Sequence, residues 1–374
     1  MHIFTGYVRC NCDCSCGYHR EASYFLAPFR RNFLKRNCTK GVKVKRLLLV
    51  VVGLMSFLII ACGESEPQKV TFMAGFKPQA NLPFVAAYVA QEKGYFSDEG
   101  LEVEILHSAG GGENMTLLLA GKVDFTTADA NSVLKYRASQ QAPVKAIALF
   151  GQRGQQAFIS LTESGIKGPE DWSGKRFGYK ISIPPDYLAI AESVGLDRDS
   201  VEEIQVGFDP RILLQDKVDI LAVFKSNEPN IIRSMGHEVE VFEAADYGVP
   251  TLGLTYIATE ETIDLKSQVT KDFLKATMRA TEFIENNQDA TLDIVMKYAE
   301  NENRDHMRFM LETELSDSMS AATMAGGIGA MNSSRWNELR DVLLKFGAIE
   351  KSVNIEDAVD DSLRSSLFKD GKLK

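Results

Sequence analysis

The side chains best able to do chemistry form short polar clusters, and what they offer is recognition. Phe76, Gln79 and Asn81 follow an apolar run, giving a flat face and two amides that could meet a ring. Gly112, Glu113 and Asn114 close a Gly110-Gly111-Gly112 run, which lets the backbone approach a ligand or simply makes a flexible loop. No G-K-[ST] follows, so this is no phosphate loop. Asp129 ends Thr126-Thr127-Ala128-Asp129, as a ligand group or as the N-cap of the next helix. Gln152 and Gln155 flank Arg153, and amides beside a guanidinium read ring carbonyls and amines or sit solvated at a hinge. Tyr179 and Lys180, then Pro184 to Tyr187, form another such loop, and Asn227 and Glu228 sit in Lys225-Ser226-Asn227-Glu228-Pro229. Glu228 draws attention because a glutamate beside an apolar strand is rarely buried unless paired.

Covalent and metal chemistry is poorly supplied. Cys10, Cys12, Cys14, Cys16, Cys38 and Cys62 all precede Gly63, and no cysteine occurs from there to Lys374. That body has no disulfide, cysteine metal site or cysteine nucleophile. The alternating cysteines at 10–16 lack zinc-knuckle spacing, and His107, His237 and His306 are scattered. No catalytic residue, metal ligand or cofactor is assigned.

Cys62 has a different use. Lys43, Lys45 and Arg46 precede the apolar run Leu47 to Ile60, shorter than the roughly 20 residues of a spanning helix. Ile59-Ile60-Ala61-Cys62 then matches a lipobox, with the Cys62 thiol as the acylation site. The expectation is an unstructured or non-native extension at 1–42, a lipoprotein signal peptide at 43–61 and a polar tether at 62–69. Acyl chains on Cys62 would anchor the chain outside the membrane.

The elements that must position the polar clusters are alternating strands and helices. The 374 residues are 45% hydrophobic and 25% charged, enough for about two domains. A formal net charge of -9 argues against nucleic acid as a partner. Strand-like runs at 70–75, 101–106, 123–127 and 144–150 are separated by helix-like periods. A second unit alternates similarly from Gly165, and helices dominate after 266. The expected fold is α/β with mainly parallel sheets: lobe 1 at 70–164, lobe 2 at 165–250, and a return to lobe 1 with C-terminal helices at 251–374. In such sheets ligands lie beyond the carboxyl ends of the strands.

Glu92-Lys93-Gly94-Tyr95-Phe96 with Asp98-Glu99-Gly100-Leu101 resembles the first-helix signature of nitrate/sulfonate/taurine-type solute-binding proteins. Ala120 to Phe125 and Gly174 to Tyr179 fit the same superfamily. Val206-Gly207-Phe208-Asp209, Lys217-Val218-Asp219 and Asp246 to Pro250 resemble the branch that binds thiamine pyrimidine precursors, which includes riboflavin-binding relatives. The resemblance implies a two-lobed periplasmic-binding-protein fold of type II, hinged between lobes. It implies a monomer that delivers a small heteroaromatic ligand to the permease and ATPase of an ABC importer. It also implies that Phe76 replaces a family tryptophan and that Glu228 matches a glutamate pairing with an exocyclic amine. Gly75 stands where pyrimidine binders often carry an acid, leaving room for a bulkier flavin-like ring. The alternatives are a pyrimidine synthase of thiamine biosynthesis, whose cysteine-rich segment would align with the cysteine-free Gly248 to Leu252, and a nitrate, sulfonate or taurine binder.

Overall fold

The structure, a computed structural model, describes residues 66–374. The expected extension, signal peptide and acylation site Cys62 lie outside the described residues.

Lobe 1 is built on a five-stranded sheet of order β2-β1-β3-β10-β4: β1 (Gln68–Ala74), β2 (Leu101–His107), β3 (Phe125–Asp129), β4 (Val144–Leu149) and β10 (Leu254–Thr259). Lobe 2 holds β5 (Gln156–Leu161), β6 (Arg176–Tyr179), β7 (Glu202–Gln205), β8 (Ile220–Phe224) and β9 (Val239–Glu243), in the order β7-β6-β8-β5-β9. Four strands in each sheet share one direction. The reversed strand is β10 in the first and β5 in the second, each antiparallel to both neighbours. These are the two strands by which the chain enters lobe 2 and returns from it.

The expected lobe boundary at 164/165 therefore falls one strand late. Gln156–Leu161 pairs with β8 and β9 of the second sheet, so the crossing is made by the polar segment 150–155. The run Ala157-Phe158-Ile159 is buried by both neighbours, which hides the alternation that marks a half-exposed strand.

Helix α1 (Leu82–Glu92) begins with Pro83 in its first turn and buries every residue from Leu82 to Ala90. An all-apolar helix must be covered on several sides. It lies between the sheet and α6 (Ser267–Asn286), which is amphipathic and buries Thr270, Phe273, Leu274, Thr277, Met278 and Thr281 at helical spacing. In lobe 2 the core is aromatic: Trp172, Phe177 and Tyr187 stack in near-parallel planes, and Phe158 meets Trp172 edge-on at 5.6 Å.

The two crossings run side by side and touch through glycine. Gly253 N–H donates to the Gly151 carbonyl at 2.8 Å, and Gly151 N–H to the Leu254 carbonyl at 3.1 Å. A Cβ on Gly151 would stand 2.7 Å from Gly253 Cα, so neither position has room for a side chain. This backbone pair fixes how closely the two crossings approach each other.

Candidate functional site

A cavity of about 220 Å³ opens between the lobes at the carboxyl ends of β3, β6 and β8. Helix α3 (Ala130–Gln140) contributes Asn131 and Lys135, with Asp129 just before it. Lobe 2 contributes Lys180 and Ile181 after β6, Asp186 in the first turn of α4 (Pro185–Ser193), Phe208, and Phe224 at the end of β8. Gln155 and Thr251 come from the two crossings.

Its wall carries acceptors that nothing in the protein pairs. Asp129 Oδ1, Asn131 Oδ1 and Gln155 Oε1 are buried acceptors without a partner, three of the eight unpartnered buried side-chain polar atoms, donors included, among the described residues. Native proteins leave few polar atoms in this state, so three in one wall mark a place where something else supplies hydrogens. The Gln155 amide is oriented by Nε2, which donates to Asp317 Oδ2 at 3.1 Å, so its oxygen is the end left over. Desolvation raises Asp129 to about 6, against the lowering influence of Lys135. Asp186 is 4% exposed and pushed up to about 7, mainly by burial and then by the charge of Asp129.

A second polar cluster ties the lobes together behind the cavity. Helix α8 (Arg304–Ser318) presents Glu314 and Asp317. Glu314 accepts from Asn81 Nδ2 at 2.7 Å in lobe 1 and from Ser226 Oγ at 3.3 Å in lobe 2. Lys225 Nζ pairs with Asp317 and Glu243, each at 2.7 Å. Glu314 is raised to about 7, because desolvation outweighs the bonds from Asn81, Leu82 N and Ser226. The folded chain thus holds this proton up to about 7, while the unfolded chain releases it near 4.5. Folding takes up protons in that window, so stability is greatest below it and falls as pH rises through it. Asp129 and Asp186 act in the same direction. The thermal midpoint is expected to fall from about pH 5 to about pH 8, and Glu314→Gln to flatten the slope; calorimetry across that range checks it.

Of the residues singled out from the sequence, the cavity brings together Asp129, Gln155 and Lys180. Asp129 starts α3 but makes no capping bond, so its carboxyl is left to the cavity. Glu228, the first residue of α5 (Glu228–Ser234), is buried as expected but engaged by the protein. One oxygen pairs with Lys180 and the other accepts from Phe224 N–H at 2.9 Å, so Glu228 orients the wall rather than forming it. Asn227 Oδ1 is bonded to His306 Nε2 at 2.9 Å, outside the cavity. Tyr179 packs on Phe177.

The remaining candidates serve the fold. Asn114 Nδ2 joins Thr126 Oγ1 and the Thr127 carbonyl at 3.0 and 2.9 Å. Glu113 closes its own loop by accepting from Ala109 N–H at 2.9 Å, and Gly112 supplies a left-handed residue before α2 (Glu113–Leu119). Gln152 Nε2 donates to the Leu149 and Ala330 carbonyls, and Gln79 donates to Asn81. Phe76 is 42% exposed and packs beside Gly110, away from the cavity lining. Gly75 has a packing cause: a Cβ there would lie 2.5 Å from the Thr127 carbonyl. The absence of an acid at 75 therefore carries no information about ligand size.

The sequence does not mark Asn131, Lys135, Phe208 or Phe224 as ligand contacts, and it offers Asp186 only as part of the loop Pro184 to Tyr187. Pro184 to Tyr187 was expected to line the loop, but Pro-Asp at a helix start reads equally as a cap. Phe208 is 68% exposed, a large apolar side chain left beside a cavity, and that exposure is visible only in three dimensions.

Residues 81–291 match the model of the family described as NMT1/THI5 like. The chain is 26% identical over 332 residues to a formylaminopyrimidine-binding protein of Halalkalibacterium halodurans, covering 85% of this chain and 98% of the relative. It is 26% identical over 346 residues to the riboflavin-binding protein RibY of Chloroflexus aurantiacus, covering 84% and 96%. The periplasmic sulfonate-binding protein SsuA of Methylobacillus flagellatus superposes with a TM-score of 0.61 at 13% identity, over 81% of this chain and 94% of that one, a likeness of fold. With a two-lobed α/β frame of the periplasmic-binding-protein type and more than half its length matched, the chain belongs to the NMT1/THI5-like family.

Proposed function

We propose that this protein is the lipid-anchored, extracytoplasmic solute-binding component of an ABC importer, and that its ligand is a single-ring, amino-substituted heteroaromatic of the aminopyrimidine class. The observation that carries the ligand class is the set of unpartnered acceptors at Asp129, Asn131 and Gln155 in one cavity wall. A molecule with several N–H donors satisfies them, and Phe208 and Phe224 offer apolar faces beside them. About 220 Å³ lies below the roughly 300–1,000 Å³ of drug-sized pockets, which suits one ring. The similarity to a formylaminopyrimidine-binding protein over most of both chains supports the same class.

An anionic sulfonate suits the wall less well. Helix starts at α3 and α4 would attract an anion, but Asp129 and Asp186 already stand there. The enzyme alternative finds little in the cavity. His107 is bonded to Tyr88 at 2.6 Å and His306 to Asn227 and Asn230, and neither lines it. A flavin is the second reading, favoured by the exposed rim of Ile181, Phe208 and Phe224 and by the similarity to RibY.

The full chain, extracted from membranes of its expression host, is expected to carry a small molecule identifiable by mass spectrometry and to bind aminopyrimidines saturably without altering them. A yellow chromophore would favour the flavin. Cys62→Ser is expected to move the chain from the membrane fraction to the soluble one. Chemical turnover of the bound molecule, or no binding of either class, would overturn the reading.

A further inference from the structure

Resting on that reading, we infer that the ring is held as a cation, with an amidinium-like edge gripped between Asp129 of lobe 1 and Asp186 of lobe 2. The two carboxyls reach one cavity from opposite lobes. Neither forms an ion pair among the described residues, although each is set in a desolvated wall. Gln155, itself 4% exposed, adds a neutral acceptor to the same cavity.

The charges facing this space can be counted. Lys135 on α3 bears on both acids, Lys180 after β6 lines the cavity, and Glu228 on α5 is the partner of Lys180. Asp317 of α8 reaches the wall through Gln155 and is matched by Lys225. With every group ionised, Asp129, Asp186 and Glu228 exceed Lys135 and Lys180 by one negative charge. A monocation restores neutrality, which a buried site requires. Without it, below about pH 7, one carboxyl keeps a proton, as the raised values of both acids indicate. A neutral basic ring can take that proton in place: the carboxyl O–H bond breaks, the ring N–H bond forms, and no proton leaves the site. A ligand that arrives already charged instead expels the proton to solvent. Because one edge meets both lobes, the same contact would draw them together.

Benzamidine and benzamide are flat probes of nearly one shape, the first a cation throughout the neutral range and the second neutral. Benzamidine is expected to bind at least about tenfold more tightly at pH 8. Its affinity should rise with pH between about 5 and 7, by up to about tenfold per unit, as the carboxyls ionise. Calorimetry in buffers of different ionisation enthalpy should show proton release at pH 6 that vanishes by pH 8, a readout that needs no variant. In Asp129→Asn and Asp186→Asn the ratio of the two affinities should collapse toward one. Equal binding of both probes with a flat pH profile, or no binding of benzamidine, overturns the cation assignment. The receptor reading is judged separately, by the co-purified solute, and survives that failure if a neutral heteroaromatic is found bound.

Discussion

Lys225→Ala is expected to destabilise the chain by about 3–5 kcal/mol, the cost of leaving a buried charge without its partner. The Lys225 side chain is 5% exposed, and its ammonium is shared between Asp317 and Glu243, each 2.7 Å away. Asp317 is itself 6% exposed and has no comparable cation to turn to, since Arg153 is committed to Glu243 and Asp246. The charge it would keep sits between Gln155 on the crossing and the end of α8. Urea denaturation measures the loss. The double variant Lys225→Ala, Asp317→Ala should recover part of it, because the stranded carboxylate is gone. Losses that simply add, or a single-variant loss below about 1 kcal/mol, would show that the pair is solvated in solution.

Gly151→Ala carries the second large effect. The new methyl would lie 2.7 Å from Gly253 Cα and 2.8 Å from Leu254 N, both backbone atoms that cannot swing aside. Overpacking of this kind costs about 1–3 kcal/mol, and here it also forces the two crossings apart. Gln155 and Thr251, which those crossings deliver to the cavity, move with them. Ligand affinity is therefore expected to fall together with the thermal midpoint. Gly207→Ala is the control: its Cβ meets nothing within 4 Å, and both readouts should stay at the parental value. An unchanged affinity in Gly151→Ala would mean that the crossings do not set the shape of the cavity.

The sequence makes the fold legible where burial is one-sided and obscures it where burial is complete. Strands such as Leu101–His107 alternate buried and exposed residues at their start, and their neighbours end at glycines, so position and type are readable. Gln156–Leu161 is flanked on both edges and nearly uniformly buried, and nothing local says to which sheet it belongs. The site is legible by the same rule. Loops after strands line the cavity, and Asp129, Gln155 and Lys180 come from them. What one dimension could not supply was pairing. Glu228 offers the same carboxyl in sequence as Asp186, yet Lys180 and the Phe224 amide consume it, while Asp186 is left to face the cavity. Which acid is free depends on neighbours 48 positions apart, as for Lys180 and Glu228.

The reversed strands β5 and β10 make lobe 2 a single uninterrupted stretch set inside a lobe 1 assembled from two distant pieces. Asp129 pairs with Leu254 only after everything between them has been gathered in. Closing so long a loop is entropically costly unless its interior is already compact, so the inserted half should organise first and bring the outer strands within reach. The cavity between the lobes would then be the last part to form, and a chain halted before its return through β10 would have one jaw and no grip.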